Sequence, residues 1–203
     1  MKLPKPDDNR PWKPTREQIL AAEGKTVRDV IAPNLKVLFC GINPGLYTAA
    51  VGHHFARPGN RFWPALHASN FTHRQLSAFE ERELLKYGYG VTNVVPRATA
   101  TAERLERDEL VAGGRKLVAK VRRYKPQFLA ILGLGVYRIA FDARKAVVGR
   151  QEKRIGETII WVLPNPSGLN AHYQVAELAH LFRLLKREVD GKRSSGLGLT
   201  VRV

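Results

Sequence analysis

The chain has 203 residues, 44% of them hydrophobic, enough for one domain with a real core. Lysine and arginine total 34 against 18 aspartates and glutamates, and the net charge of +16 points to a polyanionic partner, nucleic acid before a membrane surface. The one cysteine, Cys40, excludes an intramolecular disulfide and any four-cysteine zinc or iron–sulfur site within the chain.

In chain order, residues 1–14 hold four prolines and mixed charges and read as a flexible arm. They lack the apolar stretch of a signal peptide, and no later run is long enough to span a bilayer, so an intracellular location is expected, cytoplasm or nucleoid in a bacterium. Thr15-Arg16-Glu17-Gln18 is a capping box that opens a helix over residues 19–23. Thr26 reads as the cap of a second helix ending before Pro33. Lys36 to Gly41 is an apolar strand with Cys40 as a buried structural thiol. Gly41-Ile42-Asn43-Pro44-Gly45 cannot continue a strand or helix, so Asn43 sits on a stiff loop just past a buried strand. A second loop passes Phe55 and Pro58 before Asn60 caps a helix to Ser69.

Ser77-Ala78-Phe79-Glu80 is a further capping box, for a helix that Gly88 ends. Tyr89 to Val95 is a strand cut by Pro96, followed by a polar loop from Arg97 to Ala102. A long helix runs from Arg107 to Tyr124. Gly113-Gly114 within it signals either close packing or a kink facing ligand. Phe128 to Gly133 is a strand and Val136 to Phe141 a short helix. The basic stretch Arg144 to Arg154 reads as a solvated or DNA-facing loop. Thr158 to Leu163 is the fourth strand and Tyr173 to Val189 the last helix. Residues 190–203, rich in Gly, Ser and basic side chains, read as a flexible tail, leaving a single domain over 15–189.

Strands linked through helices run parallel, with helices on both faces. The expected class is α/β, a three-layer α/β/α arrangement around a mostly parallel four-stranded sheet. Its C-terminal edge gathers Asn43, Asn93, the Gly133–Gly135 turn and the Asn165–Leu169 loop, where ligands bind in such sheets. Three residues there have two readings each. Phe55 is a stacking platform for a planar ring or a core residue. Leu169 is an exposed wedge or the partly buried start of the last helix. Asn93 orients a water or forms a turn. His53 and His54 are loop residues, facing phosphate, with no third ligand to complete a metal site.

The motifs GINPG (Gly41–Gly45), FARPGNRFW (Phe55–Trp63), ELVAGGRKL (Glu109–Leu117) and NPSGL (Asn165–Leu169) together resemble the uracil-DNA glycosylase superfamily from about Val27 to Lys186. The likeness is greater to its mismatch-specific branch, which removes uracil or thymine opposite guanine. The resemblance implies the same three-layer fold and a monofunctional hydrolase of base-excision repair. It would act as a monomer on double-stranded DNA holding a mismatched or damaged pyrimidine, with no membrane partner, cofactor or metal. It places catalysis at Asn43, with Asn93 as a neighbour on the same edge. Ile42, Gly45, Thr48 and Phe55 would receive the flipped base. Asn165, Pro166, Ser167, Gly168, Leu169 and Asn170 would contact DNA, with Leu169 filling the gap. The chain departs from the family's efficient uracil enzymes at Asn165, where they carry histidine. Thr48 and Asn170 stand where relatives have a small residue and serine. The rival reading is a non-catalytic nucleic-acid-binding protein of the same fold.

Overall fold

Every residue of β1 (Val37–Gly41) is buried. Side chains alternate across a strand, so Val37 and Phe39 enter one core while Leu38 and Cys40 enter another. β1 lies between β2 (Tyr89–Asn93) and β3 (Phe128–Leu132), parallel to both. In the computed structural model, which describes residues 11–195, the sheet is completed by β4 (Gly149–Ile155) and β5 (Thr158–Leu163). The order is β2-β1-β3-β5-β4, with β4 antiparallel to β5 at the edge.

Helices cover both faces. α3 (Phe62–Ala68) and α6 (Val175–Ser195) pack on the Phe39 side through Phe62, Leu66, Leu178 and Phe182. Phe39 lies at its centre, with edge-on contacts to Phe62 and Phe71 at centroid distances of 5.5 and 5.3 Å. α4 (Arg107–Tyr124) and α5 (Leu134–Ala140) cover the Leu38 side through Leu117, Val121 and Tyr137. α1 (Arg16–Leu20) and α2 (Leu46–Val51) flank a small cluster of Ala22, Val27, Ala49 and Ala98. The three-layer α/β/α class is the expected one.

The local start signals hold. Thr15 and Gln18 bond reciprocally, as do Ser77 and Glu80, although the latter box opens a 3₁₀ helix, Ala78–Tyr87, closed by left-handed Gly88. Gly113 and Gly114 serve close packing. A Cβ on Gly113 would lie 2.5 Å from the Val94 carbonyl, and one on Gly114 would overlap the Ala140 carbonyl.

Three expectations are corrected. The sheet has five strands, because the basic stretch within 144–154 forms β4 instead of a loop. An edge strand of charged residues lacks the apolar alternation by which strands are read, yet such charges suit an edge because they discourage pairing with other chains. The segment after Thr26 is not a helix. Val30 exchanges backbone hydrogen bonds with Val91 at 3.0 and 2.8 Å, capping the open edge of β2. The ladder groups on that edge need partners, and this outweighs a weak local helix preference. Lastly, α6 continues to Ser195, so the stretch from residue 190 begins as helix. Residues 1–10, most of the expected arm, and 196–203 lie outside the described residues. No helix among the described residues is long and apolar enough to cross a membrane.

Candidate active site

Beyond Gly41 the chain leaves the sheet but stays zipped to the continuation of β2. Val94 N–H donates to Gly41 O, Val95 N–H to Ile42 O and Thr99 N–H to Pro44 O, at 2.9, 2.9 and 3.2 Å. The Asn43 loop and the 94–99 loop therefore run side by side. Asn43 Nδ2 donates to Pro44 O (3.2 Å), Arg97 O (3.1 Å) and Thr99 Oγ1 (2.7 Å). Two of these acceptors are carbonyls, so the amino end of the amide must face them. Thr99 gives its own proton to Thr101 O at 2.7 Å and so must accept from Asn43. The amide is thus held in one orientation, with Nδ2 turned to the chain and Oδ1 accepting no hydrogen bond among the described residues. Arg97 is itself fixed by both oxygens of Glu109, each at 2.6 Å, and this pairing holds the Glu109 carboxyl at about 2.

The cavity at this edge measures about 120 Å³ and is lined by Ile42, Asn43, Gly45, Thr48, Phe55 and Asn165, among others. That is close to the ~150 Å³ that holds a benzene ring in an apolar core. Among the described residues its one charged lining residue is Arg57, and no carboxylate lines it. Phe55 lies between the core and the cavity. Its ring stacks on Phe62 at 4.1 Å and 27°, and it also lines the cavity. Its φ of 56° is left-handed, a costly conformation for a bulky residue that tends to mark functional sites. Gly41 beneath it leaves no room for a side chain, since a Cβ would lie 2.5 Å from Asn93 Oδ1 and 3.3 Å from the Phe55 ring.

Asn93 pairs with Gly41 in register, so it reaches the same edge. Its amide, however, contacts His54, with Nδ2 3.4 Å from Nδ1, and no hydrogen bond joins it to Asn43 among the described residues. His54 Nε2 lies 3.0 Å from Arg28 O. A carbonyl only accepts, so Nε2 carries the proton and Nδ1 accepts from Asn93. The histidines do not face phosphate as expected. Glu81 binds His53 Nδ1 at 3.0 Å and accepts from the His54 N–H at 2.7 Å, and His54 is buried. Among the described residues no three His, Cys, Asp or Glu gather as metal ligands.

Burial pushes the His54 pKa below its ordinary value. The folded chain therefore binds this proton less readily than the unfolded one. The resulting stability is complete above the ordinary pKa of about 6.5 and is lost as pH falls through the lower folded value. Thermal melts across this range are expected to fall on the acid side in the parent and to fall less in His54→Gln. Parallel curves would assign the acid loss to another group.

Leu169 is 65% exposed and lies on the loop before α6, which begins at Val175, so of its two readings the helix start is excluded. The loop is self-bonded. Asn165 Oδ1 accepts from Ser167 N–H at 3.1 Å, and Asn170 Nδ2 donates to Asn165 O at 3.0 Å. The Asn170 amide thus serves the loop's own shape. Arg61, missed in the sequence, clamps this loop from outside. Its N–H donates to Pro166 O at 2.9 Å, and its Nη1 to Ser167 O and Asn170 O at 3.1 and 2.7 Å. A Cβ on Gly168 would lie 2.6 Å from Gly59 O, so the two loops meet backbone to backbone. The only hint of this in sequence is an arginine beside Phe62 and Trp63, both buried.

The fold and cavity together define a three-layer α/β protein with a cavity at the C-terminal edge of a mostly parallel sheet. The chain belongs to the uracil DNA glycosylase superfamily, which it matches over residues 28–186. It also resembles the solution structure of a candidate uracil DNA glycosylase from Methanosarcina acetivorans, a likeness of fold. The TM-score is 0.52 at 18% identity, covering 80% of this chain and 98% of that one.

Proposed function

We propose that the protein is a monofunctional DNA glycosylase that flips uracil from G:U mismatches, and thymine from G:T, and hydrolyses the N-glycosidic bond in base-excision repair. The observation that carries this reading is the Asn43 amide, held by three acceptors with Oδ1 left unbonded, at the wall of a cavity of about 120 Å³ that no carboxylate lines among the described residues. An amide cannot take up a proton at neutral pH, so Asn43 would orient the attacking water. Phe55 would stack on the flipped base, and backbone N–H groups near Ile42 and Phe55 would stabilise the ring as it departs as an anion. Leu169 would occupy the vacated space in the duplex. Such a site lacks a general base and should be slow. Incubation with a U:G duplex, followed by alkaline cleavage, tests it. Cleavage at the uracil is expected; tight binding without cleavage would favour the non-catalytic reading.

Two further results are expected. Affinity for a duplex should fall linearly on logarithmic axes as salt rises, because about 0.9 counterions are released per neutralised phosphate. A flat titration would remove the phosphate-binding role from the excess charge. Arg61→Ala should lower excision of U:G about tenfold, since a loop displaced by about 1 Å can cost up to 10²-fold, with Arg61→Lys recovering part. Amide exchange at 167–170 should quicken in Arg61→Ala. Unchanged exchange and rate would make Arg61 dispensable.

A further inference from the structure

Along one side of α4 stand Arg107, Arg115 and Arg122, and across a groove of about 600 Å³ stand Arg144, Lys153 and Arg154. All six are exposed. Asp142 is the one carboxylate lining the groove, and no ion pair joins any of the five arginines to a carboxylate among the described residues. The groove shares no lining residue with the Asn43 cavity. Six like charges gathered around a single carboxylate repel one another, and a polyanion is what relieves this.

The spacing suits a duplex. At about 1.5 Å per residue the three α4 arginines cover ~22 Å, and at about 100° per residue they fall within about 80° of one another around the helix. That length matches roughly six base pairs at ~3.4 Å each. The C-terminal stretch does not supply the counter-charge: residues 192–203 carry basic side chains and no acidic ones. A membrane is disfavoured because Leu110, Leu117 and Val121 of α4 are buried in the core, leaving no apolar face to insert. The stripe also leads away from the active edge. α4 starts beside the 3₁₀ turn Ala102–Arg104, whose Ala102 lines the cavity, and runs toward the edge where β3 begins. A duplex laid across the active edge could follow the stripe as well only by bending sharply, which is costly for a polymer with a persistence length of about 150 base pairs.

We propose that this arginine groove binds a second segment of double-stranded DNA while the Asn43 edge holds the first, so that one chain bridges two duplexes. The inference rests on the glycosylase reading only for what occupies the first edge.

The test uses the full chain and two undamaged duplexes, one with a donor dye and one with an acceptor, at low salt. The parent protein should bring the dyes together, with sedimentation giving one chain per two duplexes. Arg115→Glu/Arg122→Glu/Arg154→Glu should weaken bridging at least about tenfold and reduce the salt slope by about 2–3, near 0.9 per lost contact. Its melting temperature and its excision from a short U:G duplex should be unchanged. If the triple variant does not fold, Arg115→Gln/Arg122→Gln serves instead. No energy transfer with the parent, transfer retained by the variant, or bridging only by a chain dimer would each overturn the proposal. So would capture of phosphatidylserine vesicles without bridging, or an equal loss of short-duplex excision. Bridging of undamaged DNA requires no chemistry, so its failure and a failure of excision are read separately.

Discussion

Asn43→Ala is expected to reduce single-turnover excision of uracil from a U:G duplex by about 10²-fold or more, with duplex affinity within about twofold of the parent. The size follows from what a misplaced reactant costs: effective molarities for well-oriented groups are large, and a displacement of about 1 Å already loses about 10²-fold. The alanine removes the acceptor at Oδ1. It also strips a donor from Arg97 O and Thr99 Oγ1, so Thr99→Val separates the two effects. Thr99→Val keeps Oδ1 and the two carbonyl acceptors and removes only one of the three holds on the amide, and should lose less than Asn43→Ala. Asn43→Asp is not a route to a better enzyme. The Arg97 and Pro44 carbonyls would face a carboxylate oxygen, and the repulsion would turn or protonate it. An Asn43→Ala variant that excises at the parental rate would remove the role assigned here.

Leu169→Ala is expected to lower excision from a U:G duplex by about 10–10²-fold while changing excision from a single strand by no more than about twofold. Unstacking a base costs a few kcal/mol in a duplex, and an apolar wedge offsets part of that cost. A single strand has no opposite strand to re-form the stack. Leu169 is an exposed residue on a loop fixed by Arg61, so truncation should leave the melting temperature unaltered. Equal losses on both substrates would mark Leu169 as a packing residue of the loop. A lost duplex activity with a lowered melting point would carry the same meaning.

Some of this site can be read without coordinates. GINPG and NPSGL each end a buried strand with residues that must leave the sheet, so their meeting at one edge follows once the strands are parallel. Phe55 was legible as an aromatic beside a glycine-rich turn, but its left-handed backbone and its stack on Phe62 were not, because both depend on where α3 packs. Arg61 was invisible as a clamp, since its acceptors lie more than a hundred residues away. The two histidines misled: an adjacent pair in a loop reads as exposed, yet Glu81 draws both inward.

The sequence by itself determined the elements whose causes are local. Capping boxes at Thr15 and Ser77 act within three residues, glycine at 88 closes a turn by its own φ, and the apolar run of β1 demands burial. Tertiary structure alone decided what depends on strand order. β4 exists because β5 has an open edge to pair with, and Val30 is extended because β2 has another. The rotation of the Asn43 amide depends on the same order. It is set by carbonyls of a loop that reaches it only because β2 lies beside β1, and local sequence carries no information about a neighbour that folding brings from fifty residues away.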